Sequence, residues 1–69
     1  MTDLIVEYSG GSDFDKDRLI RKIVGKSEIG SGCGFGTRDV QFTFRDRKVA
    51  IKALRKLKRA GFRRAYIQE

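Results

Sequence analysis

The chain has 69 residues, of which 16 are Lys or Arg and 9 are Asp or Glu, so its formal net charge is +7, and it has no histidine. A chain this short buries about 60% of the surface that its unfolded form exposes. We therefore predict a single domain, residues 1–69, without a deep substrate cavity. A hydrophobic fraction of 39%, with five Phe and two Tyr, argues against a disordered chain.

The single cysteine and the start of the chain bear on compartment and chemistry. Cys33 cannot form an internal disulfide, and the start MTDLIVEYSGG has only three consecutive apolar residues, so we predict a cytoplasmic protein without a signal peptide or membrane span. A cysteine nucleophile needs a base, and one Cys without His is a poor basis for a transition-metal site. We therefore expect no enzymatic activity, no metal and no cofactor.

The first third of the chain predicts a strand and a helix. Apolar residues alternate over residues 4–8, which is typical of a strand. The helix that follows has Ser12 as its N-cap, acids in its first turn, and Gly25 in the left-handed conformation after its end. We expect Asp17 to pair with Arg21 one turn later. The predicted buried face of this helix consists of Leu19, Ile20, Ile23 and Val24.

The remaining elements complete a six-element order. We interpret residues 27–33, where glycines alternate, as a strand and Gly34-Phe35-Gly36 as a hairpin tip; the alternative is a long loop over residues 26–36. A strand of alternating Val40, Phe42 and Phe44, a second helix from Asp46 to Gly61, and a short strand over residues 65–67 follow. This order predicts an α+β, ferredoxin-like βαββαβ fold, an antiparallel sheet with both helices on one face.

One segment also carries a family resemblance. The strand residues Phe42-Thr43-Phe44 are followed at helical spacing by Ala50, Ala53 and Leu54. This segment resembles the third strand and second helix of RNA-recognition-motif domains, over about 13 of the 69 residues, and it implies the same fold. The resemblance also implies that the family's stacking positions correspond here to Ile5, Asp39 and Gln41, so we do not expect RNA bases to stack on the sheet in the usual way.

Charge is concentrated in the last third of the chain. Residues 1–44 have a net charge of −1 and residues 45–69 have +8. At about 100° per residue, the second helix places five cations within an arc of about 100°, and we call them the basic stripe: Lys48, Lys52, Arg55, Lys56 and Arg59. No acid lies between Asp46 and Glu69 to offset them, although like charges at i,i+4 are destabilising by about 0.2–0.5 kcal/mol.

We hypothesise that the basic stripe docks on a nucleic-acid backbone, DNA or RNA, with Arg63 or Arg64 extending the patch. Three alternatives stay open: an ordinary solvated helix face, an interaction or inhibitor module for an acidic protein, and a homodimer that pairs through its open sheet face. That sheet face would be lined by Ile5, Glu7, Asp39, Gln41, Thr43, Arg64 and Tyr66.

Overall fold

Four strands and two helices follow one another in the predicted order. The computed structural model describes residues 1–10, 13–34 and 36–69. Its elements are β1 (Thr2–Ser9), α1 (Phe14–Val24), β2 (Gly30–Gly34), β3 (Thr37–Phe44), α2 (Arg47–Arg59) and β4 (Arg64–Gln68). The ferredoxin-like α+β fold is thereby confirmed, and the alternative with a long loop in place of β2 is wrong.

The sheet is antiparallel throughout, in the order β2-β3-β1-β4. β2 begins three residues later than predicted, because its pairing with β3 starts only at Gly30 opposite Gln41. The preceding residues instead connect α1 to the sheet edge, where Glu28 pairs with Arg21 at 3.0 Å. The hairpin tip that we predicted includes Phe35, which lies outside the described residues.

The core lies between one face of the sheet and the two helices. Alternate residues of β1 and β3 meet Ile20 of α1 and three residues of α2 in one cluster. On α2 these are Ala50, Ala53 and Leu57. Both helices therefore cover the same face, and the opposite face of the sheet, which we call the open face, has no helix against it.

The prediction that Leu19 lies on the buried face of α1 is wrong. Leu19 is 44% exposed, whereas Asp17, two residues earlier, is only 4% exposed. These two residues point about 160° apart on a helix. Since Asp17 lies beside Ile20 on the buried face of α1, that face does not include Leu19. Ile23 and Val24 are only partly buried against the core.

The helix ends follow from local sequence. Asp13 caps α1, and its carboxylate accepts from the N–H groups of Asp15 and Lys16 at 3.0 and 3.2 Å. The predicted cap, Ser12, lies outside the described residues, and the cap observed is one residue later. Gly25 has the predicted positive φ of 83°, which glycine adopts without steric cost. α2 begins after the predicted cap Asp46.

Candidate nucleic-acid interface

The basic stripe lies on the surface of α2 that faces away from the core. All five of its side chains are exposed, and the buried residues of the helix are on its opposite side. Lys48 and Arg59 are 11 residues apart, so the stripe is about 16 Å long at a rise of about 1.5 Å per residue. Because α2 is packed through its other face, the positions from which these side chains extend are fixed along one line.

Within the described part of the chain, no carboxylate pairs with the basic stripe. The two nearest acids in sequence have other partners: the Asp46 carboxylate accepts from the backbone N–H of Lys48 at 2.9 Å, and Glu69 pairs with Arg47 at 2.7 Å. The side chains of the stripe make no hydrogen bond or ion pair with another described residue. Among these residues, no carboxylate is therefore in place to compensate the charges of the stripe.

The stripe is bordered by apolar side chains. Lys48, Lys52 and Arg55 line a shallow depression of about 410 Å³ together with Val49 and Ile51. Val49 is 49% exposed and Ile51 is half-buried. On the helix wheel these two residues lie on opposite sides of the cations. The N-terminal part of the stripe is thus a row of cations with one apolar side chain on either side.

The structure does not bring Arg64 into the stripe. Arg64 begins β4 opposite Glu7, and its side chain is on the open face because the next residue, Ala65, is buried. Arg63 lies between α2 and β4, where it lines a second depression of about 440 Å³ with Lys16 and Arg64. Of the seven predicted contacts, the structure therefore gathers five on α2 and leaves the last two at a separate place.

The open face is polar and carries acids. Asp3 accepts from Gln41 Nε2 and from Thr43 Oγ1, both at 2.9 Å. Tyr66 donates its hydroxyl to Glu7 Oε1 at 3.4 Å. The structure thus places the seven residues that we predicted for this face on it, with Ile5 only 5% exposed in the centre.

The pKa of Tyr66 reports the charge of this face. Burial raises the pKa of the Tyr66 hydroxyl, and the charge of Glu7, the hydrogen bond to Glu7 and the charge of Asp39 raise it further. Both acids favour the neutral hydroxyl. The open face therefore has a negative environment around the Tyr66 hydroxyl.

Sequence reasoning missed a buried ion pair at the start of α1. Arg38 pairs with Asp17 at 2.8 Å, and its Nε donates to both oxygens of that carboxylate at 3.1 and 3.0 Å. The Tyr8 hydroxyl donates to Asp17 Oδ1 at 2.6 Å. The predicted pair of Asp17 with Arg21 is wrong, since Arg21 pairs with Glu28.

These contacts determine the pKa of Asp17. Burial would raise the pKa, but the hydrogen bonds from Arg38 and Tyr8 and the charge of Arg38 outweigh it, so the pKa is lowered. Arg38 continues the inward-facing alternation of Val40, Phe42 and Phe44. A cation at such a position needs a buried acid, and this signal could have identified the pair from sequence.

Neither a scan against protein-family models nor searches of curated proteins and of solved structures find a match for this chain. Within the described ranges, no group of three or more acidic, cysteine or histidine side chains could hold a metal ion. Over the same residues, no helix has the length and apolar character needed to cross a membrane.

Proposed function

We propose that this protein is a small nucleic-acid-binding module that docks the basic stripe on the phosphate backbone. The observation that carries the proposal is the line of five exposed cations on α2 without an acidic partner among the described residues. Like charges at i,i+4, such as Lys48 with Lys52 and Lys52 with Lys56, destabilise a helix. A polyanionic partner explains why the chain keeps this arrangement.

The stripe contacts phosphates through side chains. The N-terminus of α2 has a positive dipole end that suits an anion, but the Asp46 carboxylate already caps it. Arg55 and Arg59 offer planar forks for bidentate phosphate contacts, whereas the lysines act as point charges. Phosphate contacts of this kind carry no sequence information by themselves, so we expect binding with little sequence preference.

The salt dependence of binding tests this proposal. If about four phosphates are neutralised, the slope of log K against log salt is about −3.6, and affinity falls roughly 150-fold between about 50 and 200 mM salt. Fluorescence anisotropy with a labelled oligonucleotide measures this slope. Undetectable binding at about 50 mM salt would contradict the proposal and leave an acidic protein or a solvated helix face as the explanation of the stripe.

A further inference from the structure

We infer that the basic stripe selects double-helical nucleic acid over single strands. The inference rests on the proposed function and adds the class of nucleic acid to it. The stripe recognises the phosphate backbone of a double helix. Duplex DNA and duplex RNA both offer such a backbone, so they are two sources of one ligand. Three features of the described residues support this choice: the line of cations on a packed helix, the lack of an aromatic residue on α2, and the acids on the open face.

The line of cations along α2 matches a dense and stiff array of phosphates. Successive cations of the line Lys48, Lys52, Arg55 and Arg59 are about 6, 4.5 and 6 Å apart along the helix axis. Along the same 16 Å or so, a duplex presents about nine phosphate charges, whereas one strand at about 3.4 Å per charge presents about five. A duplex is also stiff over this distance, so it loses less conformational freedom on docking than a flexible strand.

Within residues 1–10, 13–34 and 36–69, α2 offers no aromatic side chain on which the bases of a single strand could stack. Proteins that bind single strands gain affinity by stacking the bases on aromatic side chains. α2 has no aromatic residue. The exposed Phe14, at 82% exposure, begins α1 instead, and it lies between the acids Asp13 and Asp15.

The open face is equally unsuited to a strand. Its aromatic residue, Tyr66, is hydrogen-bonded to Glu7, and Ile5 occupies the centre of the face almost without exposure. Asp3, Glu7 and Asp39 repel phosphates there. Among the described residues, Arg64 is the cation of β4 on this face, and these three acids outnumber it. A single strand therefore gains its phosphate contacts mainly from α2.

Binding of matched duplexes and strands tests the inference. The probes are a DNA duplex of about 20 base pairs, an RNA duplex of the same sequence, and their separate unstructured strands, titrated by anisotropy at about 50 mM salt. We expect at least one duplex to bind about tenfold or more tightly than its own strand, and the arm that does so identifies the source. If neither duplex exceeds its strand by that factor, the inference is overturned.

A charge-reversed variant separates the two possible failures. Lys52→Glu with Arg55→Glu removes two cations from the centre of the stripe and leaves the buried side of α2 unchanged. Strands that bind as tightly as duplexes, and lose binding in this variant, would overturn duplex selection while the proposed function stands. No binding of any probe at about 50 mM salt would overturn both. Binding of both strands and duplexes that the variant leaves unchanged would also overturn both, because the stripe would then not be the contact.

Discussion

The two helices pack on the same face of the sheet, yet they use their charges in different ways. In α1, Asp17 is held by Arg38 and Arg21 pairs with Glu28, so these charges link the helix to β3 and to the segment before β2. In α2, the basic stripe has no such links within the described residues. The difference teaches that charge in α1 stabilises the fold, whereas charge in the stripe is available to a partner.

The largest effect on stability is expected at the buried pair in α1. Asp17→Asn removes the buried carboxylate that pairs with the partly buried Arg38, and removal of one member of a buried pair costs up to about 3–5 kcal/mol. Urea denaturation measures this loss. Asp15→Asn, on the exposed side of the same helix, is the matched control and should cost about 1 kcal/mol or less. Equal losses in the two variants would show that the buried pair does not anchor α1.

The same pair predicts a loss of stability in acid. The pKa of Asp17 is lowered in the folded protein relative to its ordinary value of 3.8. The stability that this carboxylate contributes is therefore fully present above about pH 4 and is lost as pH falls through the folded pKa. Urea denaturation from pH 7 down to about pH 2 should show this decline. In Asp17→Asn the decline should be smaller, and an unchanged pH profile would contradict the assignment.

An intermediate effect is expected at the N-terminus of α2. The first turn of α2 has no acid, and Asp46 supplies the carboxylate that meets its N–H groups. Asp46→Ala should therefore lower the free energy of unfolding by about 1 kcal/mol. Asp46→Asn keeps a capping oxygen and is the control, with a smaller expected loss. If both variants unfold at the wild-type urea concentration, the cap contributes nothing to α2.

The smallest effect on stability is expected from the reversal of a single charge in the stripe. The informative result is whether stability rises or falls. Lys52→Glu replaces repulsion of Lys48 and Lys56 by attraction, which should raise stability by about 0.5 kcal/mol. Arg21→Glu in α1 should lower stability instead, because it loses the pair with Glu28 and adds repulsion at a cost of up to about 1 kcal/mol. Thermal denaturation of the two variants distinguishes them. Destabilisation by both reversals would remove the contrast between the helices.

The sequence predicts whatever depends on residues that are close along the chain. The caps and ends of α2 and the alternation in β3 are local patterns, and the stripe needs only the period of a helix, so these are found without the structure. The partner of Asp17 is 21 residues away on β3, and i,i+4 arithmetic therefore chose Arg21. The exposure of Leu19 follows from that same distant contact, and the start of β2 depends on its register with β3.

The alternation of side chains along a strand predicts which residues lie on the open face, but it does not predict the position of Arg63. The open-face positions of β1, β3 and β4 follow from alternation, because side chains in a strand point to opposite faces in turn. The same alternation places Arg64 with Glu7 on the open face, away from the stripe. The position of Arg63 depends on the path of the turn after α2, which no periodicity describes.

The central contrast is tested most directly by equal charge reversals on the two helices. Lys52→Glu with Arg55→Glu changes the stripe, and Arg18→Glu with Lys22→Glu changes two exposed cations of α1 by the same total charge. At about 50 mM salt, the α2 variant should bind a DNA or RNA duplex about 100-fold more weakly than the wild type, and the α1 variant less than about fivefold more weakly. Equal losses in the two variants, or unchanged binding in the α2 variant, would contradict the assignment of nucleic-acid binding to the basic stripe.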